Sequence, residues 1–229
     1  LNMASRLIFS STSSIGFDLS KCSKILGAAM NYRAGISDPI PKEPIFFMKP
    51  PSTLVTEGNP IRIPKIWSAV HTEVELGVVI GKRAKNVRAA DALDYVAGYV
   101  LALDLANMEW QAELKKQGLP WTLPKSFDTA TPYSSNTLIS RDDLDISTNA
   151  DKIVLQLKVN NETRHCGPLS GLIFDIRHQI EYLTQILTLE PNDLILSGTP
   201  PGVTAIKDGD KLDASLIMRG NENNKDECL

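Results

Sequence analysis

Two glutamates and a histidine at alternating positions are the first candidates for chemistry in this 229-residue sequence. His71, Glu73 and Glu75 begin a run typical of a strand, and side chains two residues apart share one face of a strand. Neighbouring carboxylates repel each other unless a proton or a cation neutralises them. Their hard oxygen ligands suit Mg²⁺, Mn²⁺ or Ca²⁺, which would make this face a metal site. The alternative is a solvated strand face whose glutamates pair with lysine or arginine.

A third carboxylate, Asp104, ends a strongly apolar run that begins at Ala97. An acid at this position is expensive to bury without a counter-charge. Three carboxylates from two strands would form a Mg²⁺ site with positions left open for water or substrate, as in a catalytic site. The alternative role for Asp104 is to cap the helix that follows.

Two loops contain further candidates. Lys125 lies in the segment 118–128 and is either an anion clamp or a surface lysine. In the segment 197–203, Gly198 and Thr199 could present a backbone N–H group and a hydroxyl to a substrate carboxylate. The alternative for that segment is an ordinary Pro/Gly turn.

Short strands and few helices must position these side chains. Runs rich in Val, Ile and Leu predict strands at 45–49, 61–63, 73–80, 97–105, 153–159, 194–197 and 212–218. A short helix is predicted at 89–95, and another is capped by Asn107 and stopped by Gly118. The clearest helix begins near Asp175, where apolar residues recur at spacings of three and four: Ile176, Ile180, Leu183 and Leu187. The pattern predicts a β-rich α+β domain.

Composition favours one globular domain over residues 1–229. Hydrophobic residues make up 42% of the chain and charged residues 22%, and the formal net charge is −3. A small negative net charge does not favour binding to nucleic acid. No apolar run is long enough to span a membrane. We predict an N-terminal strand or extension over 1–23, a catalytic domain over 24–217 and a polar tail over 218–229. The Ser-rich start of the chain is a weak mitochondrial signal, with a cytoplasmic location as the alternative.

Several motifs in series resemble the fumarylacetoacetate hydrolase family, and in particular its mitochondrial acylpyruvase and oxaloacetate decarboxylase or tautomerase branch. The similarity extends from about residue 24 to residue 216, in the same order as in that family. The segments that carry it are 71–81, 95–104, 115–127, 157–161 and 195–203.

The resemblance implies a mixed β-roll or barrel-like core with short flanking helices, and a homodimer. It implies Mg²⁺ or Mn²⁺ held by Glu73, Glu75 and Asp104, with His71 beside these ligands. It also implies a small 2-oxo acid substrate contacted by Lys125 and Thr199, with Gly198 and Gln111 as further contacts and Lys125 as the catalytic residue.

Two departures from the family affect the expected reaction. The family's lid has a His-x-x-Glu pair that activates water, and the corresponding stretch after Asn31 lacks it. Met30 and Met108 stand where the family usually has arginines. From the resemblance we expect a metal-dependent acylpyruvate hydrolase or oxaloacetate decarboxylase acting through a stabilised enolate, and these departures leave alternatives open. The alternatives are an oxaloacetate keto–enol tautomerase, and an impaired family member that binds metal and oxo acid.

Overall fold

A computed structural model describes residues 2–7, 17–33, 39–135 and 138–219. The fold is a strand-rich α+β arrangement around a curled half-barrel sheet, which confirms the predicted class. Much of the Ser-rich N-terminal stretch, the segment 34–38 compared with the family's lid, and the polar tail beyond 219 lie outside the described residues. Within the described part of the chain, no helix has the length and apolar character needed to cross a membrane.

Fourteen strands and four α-helices are described, with short 3₁₀ turns between them. The strands are β1 (Asn2–Leu7), β2 (Ile25–Ala29), β3 (Ile45–Lys49), β4 (Leu54–Thr56), β5 (Val70–Thr72), β6 (Val74–Ile80), β7 (Val96–Leu103), β8 (Thr131–Tyr133), β9 (Ile139–Ser140), β10 (Ile153–Val159), β11 (Glu162–Pro168), β12 (Leu194–Leu196), β13 (Thr204–Ile206) and β14 (Lys211–Met218). The helices are α1 (Met108–Lys116), α2 (Thr122–Lys125), α3 (Ile146–Asn149) and α4 (Ile176–Ile186). The 3₁₀ turns are Leu19–Lys21, Pro51–Thr53, Ala89–Tyr95 and Leu169–Gly171.

The strands form two main sheets and one small pair. The larger sheet has the order β3-β2-β12-β6-β7-β8-β4, with β9 added beside β7. The smaller sheet has the order β1-β14-β10-β11, and β13 pairs separately with β5. Both parallel and antiparallel pairs occur: β12 is parallel to β2 and antiparallel to β6. This mixed pairing brings strands that are distant in sequence to the centre of the larger sheet.

Strand β6 lies in the middle of the hydrophobic core. Val74, Leu76 and Val78 are fully buried in the main apolar cluster. Val79, on the opposite face, is buried in a second cluster that also contains Leu194. The larger sheet is therefore covered on both faces at β6, so the face that carries Glu75 is not a solvated one.

Two predicted helix boundaries are confirmed by their caps. The side chain of Asn107 accepts a hydrogen bond from the Trp110 amide at 2.9 Å, which begins α1. The side chain of Asp175 does the same for the His178 amide at 2.9 Å, which begins α4. Because Asn107 caps α1, the capping alternative for Asp104 was wrong.

Other predicted boundaries need correction. The strand predicted from Glu73 begins at Val74, since Glu73 lies in a break between β5 and β6. The segment 61–63 is not a strand, because the prolines on either side of it remove two backbone donors. The predicted helix at 89–95 is a 3₁₀ helix.

Candidate functional site

A cavity of about 530 Å³ opens between the larger sheet, α1 and the segment 199–203. The side chains that carry the predicted chemistry line it: Glu73, Glu75, Asp104, Gln111, Lys125 and Thr199. The three carboxylates meet because β6 and β7 are antiparallel neighbours. Residues near the start of β6 therefore lie beside residues near the end of β7.

The three carboxylates form one compact group. Glu75 lies in β6 opposite Ala102 of β7, and the Asp104 amide donates to the Glu73 carbonyl at 2.8 Å. One oxygen from each carboxylate lies within 4.8 Å of the other two. The convergence predicted from the sequence is therefore present, although Glu73 lies in a strand break.

Lys125 lies directly against this acidic group. Its Nζ atom is 2.6 Å from Oε2 of Glu73 and 2.5 Å from Oδ2 of Asp104, and the side chain is buried. The Phe47 ring covers the ammonium, with 4.9 Å from Nζ to the ring centroid. Lys125 is thus not a surface lysine. Its ion pairs with Glu73 and Asp104 agree in part with the alternative interpretation, in which the glutamates pair with lysine.

Lys49 is a site residue that the sequence analysis missed. It is fully buried, and its Nζ lies 2.5 Å from Oδ1 of Asp104. The same atom donates to the carbonyls of Ala130 at 2.8 Å and Leu105 at 3.3 Å. An ammonium has three donors, and this geometry uses all of them. Alternation in β3 places Phe47 and Lys49 on one face, but this local pattern alone does not indicate that the lysine is buried.

Burial and the charge of the opposite partner shift the pKa values of these acids and lysines in opposite directions. Burial raises the pKa of Asp104, but Lys125 and Lys49 outweigh it and the net shift is downward. Burial likewise lowers the pKa of Lys125, but Asp104 and Glu73 outweigh it and the net shift is upward. For Lys49, burial dominates the attraction of Asp104 and its pKa is lowered. Burial also dominates at Glu73, whose pKa is raised despite Lys125.

Glu75 is the carboxylate that the lysines neutralise least. Its Oε2 accepts the Gly198 amide at 2.6 Å, whereas the ion pairs of Lys49 and Lys125 are with Glu73 and Asp104. Burial raises its pKa well above the ordinary value, and the charges of Asp104 and Glu73 raise it further. When all three acids are ionised, two ammonium groups leave one negative charge uncompensated on this side of the cavity.

The residues present fit a divalent cation. All three candidate ligands offer carboxylate oxygens, which Mg²⁺ and Mn²⁺ prefer. Their spacing is close enough for one ion to contact each residue, and a cation beside Glu75 would relieve the repulsion that raises its pKa.

The loop 197–203 is tied to this acidic group by backbone and side-chain hydrogen bonds. The Gly198 amide, which was expected to face substrate, donates instead to Glu75. Thr199 lines the cavity, and its hydroxyl lies 3.3 Å from Nδ1 of His165. Asn31 donates to the Ser197 carbonyl at 2.8 Å and so fixes the start of the loop.

Buried His165 connects this loop to β5. Its Nε2 is 2.8 Å from the Thr72 carbonyl, and its Nδ1 is 2.8 Å from the Pro200 carbonyl. Burial lowers its pKa, although both carbonyl contacts oppose that shift. His165 therefore links the loop that carries Thr199 to the Thr72 carbonyl of β5.

His71 has a different place from the other candidates. Its backbone pairs with Ala106 through hydrogen bonds of 2.7 and 3.1 Å, which fixes the segment after Asp104 against β5. Its half-buried ring is not part of the cavity lining, and burial lowers its pKa. All three histidines lie among the described residues, and none of them lines the cavity: His71, His165 and His178. Met30 and Met108 do line it, in the places where the resemblance suggested arginines.

Comparison with known sequences identifies close relatives. The family model described as fumarylacetoacetate (FAA) hydrolase C-terminal matches residues 24–225. A rice protein named oxaloacetate tautomerase FAHD2, mitochondrial, is 42% identical over 204 residues, covering 86% of this chain and 88% of its own. The human oxaloacetate tautomerase FAHD1, mitochondrial, is 44% identical over 174 residues, covering 76% of each chain.

Solved structures share the same fold. A yeast fumarylacetoacetate hydrolase family protein, ynq8, superposes with a TM-score of 0.77 at 32% identity, covering 87% of this chain and 89% of its own. A 2-hydroxyhepta-2,4-diene-1,7-dioate isomerase from Mycobacterium marinum superposes with a TM-score of 0.73 at 32% identity, covering 86% and 71%.

Proposed function

This chain belongs to the fumarylacetoacetate hydrolase family, and we propose that it interconverts the enol and keto forms of oxaloacetate. The family includes hydrolases, isomerases and tautomerases, and the rice and human relatives are both named oxaloacetate tautomerases. The observation that carries the proposal is a cavity that combines the carboxylate group with Lys125 but is lined by no histidine among the described residues.

Tautomerisation asks fewer groups of the cavity lining than hydrolysis does. Cleavage of an acylpyruvate needs a base that delivers water to the distal carbonyl. Tautomerisation needs only charge stabilisation for the enolate and a group that carries one proton. The described lining supplies candidates for these two requirements.

Glu73, Glu75 and Asp104 would hold Mg²⁺ or Mn²⁺ in this proposal. When bound, the ion supplies Lewis-acid stabilisation of the negative charge that develops on the oxo acid. The carboxylates themselves need support from the protein, and Lys49 and the Gly198 amide provide it by hydrogen bonding to Asp104 and Glu75.

Lys125 is the proposed proton carrier. Its raised pKa keeps Nζ protonated at neutral pH, so it enters the reaction as an ammonium. Nζ gives one proton to C3 of the enol and recovers one from the C2 hydroxyl, which leaves the enzyme unchanged after each turnover. Thr199 and Gln111 line the same cavity and would orient the substrate carboxylate.

The test measures the loss of enol absorbance when oxaloacetate enol is mixed with the Mg²⁺-loaded protein. We expect the wild type to accelerate ketonisation, and Lys125→Met to lose most of that acceleration. Lys116→Met, an exposed lysine that ends α1, serves as the control and should keep it.

Other outcomes distinguish the remaining functions. Rapid cleavage of acetylpyruvate would favour an acylpyruvate hydrolase, and release of CO₂ from oxaloacetate would favour a decarboxylase. Saturable oxalate binding without turnover of any of these compounds would indicate a binding protein. The mitochondrial relatives support a mitochondrial location, which imaging of the tagged full-length protein would test.

A further inference from the structure

Gln179 is a buried polar residue on the apolar face of α4, and no step of the proposed reaction uses it. Ile176 and Leu183, about one turn before and after it, belong to the main hydrophobic cluster, and Gln179 itself is 0% exposed. Burying a side-chain amide costs free energy unless its polar atoms are hydrogen-bonded. The hydrogen bonds of Gln179 therefore indicate why this position is polar.

The side-chain amide of Gln179 donates to two backbone carbonyls. Its Nε2 lies 2.9 Å from the carbonyl oxygen of Phe174 and 3.2 Å from that of Ser197. Nδ2 of Asn31 donates to the same two oxygens, at 2.9 and 2.8 Å. The Ser197 carbonyl is therefore held by two side-chain amides, one from α4 and one from the segment after β2.

The Ser197 carbonyl and the Gly198 amide belong to one trans peptide unit, so they point in opposite directions. The amide end of this unit donates to Oε2 of Glu75 at 2.6 Å. The unit thus connects the two side-chain amides to a candidate metal ligand. If it turned over, the Ser197 carbonyl oxygen would replace the amide beside the Glu75 carboxylate.

Gly198 does not fix the orientation of this peptide unit by itself. Its φ is +115°, in the region that favours glycine, and glycine has more backbone freedom than any other residue. An added Cβ would lie 3.2 Å from Cβ of Asn31 and 3.3 Å from its carbonyl oxygen, so Asn31 packs directly against Gly198. The orientation therefore depends on the hydrogen bonds at the two ends of the unit.

We propose that Gln179 is a positioning residue that, together with Asn31, holds the Ser197–Gly198 peptide so that its amide orients Glu75 for metal binding. The inference rests on the proposed function, in which Glu75 is a metal ligand. Gln179 acts from outside the cavity, since it is not among the described lining residues. The Gly198 hydrogen bond restricts rotation of the carboxylate, so a cation meets a ligand that is already oriented.

Gln179→Met tests this role because it keeps the length of the side chain and removes the amide. Asn31 still donates to both carbonyls, so neither of them loses its last partner. The change also removes Oε1 of Gln179, a buried acceptor with no partner among the described residues. We therefore expect a urea midpoint close to that of the wild type. Gln179→Leu is the second variant, to be used if Gln179→Met does not fold.

The first measurement is amide exchange in the metal-free protein. The sequence has two Ser-Gly pairs, 170–171 and 197–198, so ¹³C-carbonyl serine with ¹⁵N-glycine gives two distinguishable NMR signals. We expect the Gly198 amide to exchange about tenfold faster in Gln179→Met than in the wild type, a factor equivalent to about one hydrogen bond. The Gly171 signal is the internal reference and should exchange at the same rate in both proteins.

The second measurement is calorimetric titration with Mn²⁺. We expect Gln179→Met to bind Mn²⁺ about tenfold more weakly than the wild type, the lower end of the roughly 10–100-fold effect of losing a supporting residue, because Asn31 remains. Gln185→Met is the matched control, since Gln185 is an exposed glutamine of the same helix. It should match the wild type in both measurements.

Two results would overturn the proposal. One is unchanged Gly198 exchange in the folded Gln179 variant, and the other is faster exchange with unchanged Mn²⁺ affinity. A wild type that ketonises no oxaloacetate would contradict the proposed function instead. Both measurements would still decide the role of Gln179 in that case, because neither requires turnover.

Discussion

At the scale of single residues, the site depends on how its buried charges are balanced. Asp104 accepts hydrogen bonds from Lys49 on one oxygen and from Lys125 on the other. Glu75 instead receives a backbone amide. The two sides of the acidic group therefore differ: two lysines compensate the charge of Asp104, whereas the ion pairs that those lysines form with the described residues do not include Glu75, whose charge a bound cation would compensate.

Replacing Lys49 tests the compensated side. Lys49→Met keeps the length of the side chain but removes the ammonium that contacts Asp104 and two carbonyls. We expect it to destabilise the protein by about 3–5 kcal/mol, the cost of breaking a buried ion pair. Urea unfolding would measure the change, with exposed Lys42→Met as the control. Equal stability of the two variants would show that Lys49 contributes no such compensation.

Replacing Glu75 tests the uncompensated side. Glu75→Gln keeps the shape of the side chain and its acceptor for the Gly198 amide but removes the charge. We expect Mn²⁺ affinity to fall by at least the roughly 10–100-fold seen when a residue that only supports a ligand is lost. Calorimetric titration with Mn²⁺ would measure it. Exposed Glu109→Gln should bind like the wild type, and unchanged affinity in Glu75→Gln would remove it from the ligand set.

The sequence identified the acidic group but not the lysine that supports it. Strand alternation placed Glu75 correctly, and the apolar run before Asp104 indicated a buried acid in need of a partner. Lys49 escaped detection because lysine at the end of a short strand, before two prolines, usually reaches solvent. Its burial depends on the pairing of β3 with β2, which a local pattern does not specify.

At the scale of elements, strands and loops supply most of the site residues, and the helices α1 and α2 supply Gln111 and Lys125. The strands β4, β8 and β13 have three residues each, too few for a clear alternation, and the sequence analysis missed all three. The longer β6 and β7 were predicted with boundary errors of one or two residues and β10 with none, because extended apolar runs carry their own signal.

Gly202 gives a test of the loop that carries Thr199. Its φ is +122°, and an added Cβ would lie 1.8 Å from the Arg164 carbonyl oxygen, so Gly202→Ala requires the loop to move. We expect lower stability and lower ketonisation activity than in the wild type. Gly209→Ala is the control, because φ there is +89° but the space around it is open. It should cost only the roughly 1–2 kcal/mol of a left-handed backbone. If the two variants behave alike, the close contact at Gly202 has no role.

Asp210 gives a pH-dependent test of two turns, the one before β14 and the one between β10 and β11. Its carboxylate accepts the Lys207 amide at 2.9 Å and the Asn160 side chain at 2.8 Å, and these bonds lower its pKa. A lowered folded-state pKa stabilises the protein above the unfolded value of 3.8, and this contribution is lost as pH falls through the folded pKa.

We therefore expect Asp210→Ala to be less stable than the wild type by about 1–2 kcal/mol at neutral pH. The difference should shrink as pH falls below 3.8, and unfolding curves at several pH values would measure it. Asp208→Ala, a change at an exposed neighbour, should show a smaller effect at neutral pH. A difference that is independent of pH would exclude the ionised carboxylate as its source.

At the scale of the whole molecule, the resemblance predicts a homodimer, and one surface supports this. β3 is the edge strand of the larger sheet, and Ile45 and Met48 on it are 41% and 49% exposed. Ile186 at the end of α4 is 66% exposed, and it lines the same groove as Met48. An exposed edge strand beside exposed apolar side chains is a surface that proteins usually cover.

Analytical ultracentrifugation tests whether a second copy covers it. We expect the wild type to sediment as a dimer, and Met48→Glu combined with Ile186→Glu to shift it toward the monomer. Burying each apolar side chain contributes roughly 1.5–3 kcal/mol, so two charges at this surface should weaken association at least about a hundredfold. Ile66→Glu is the control, because Ile66 is 87% exposed and does not line this groove. A monomeric wild type, or a double variant that remains dimeric, would show that this edge is not the dimer interface.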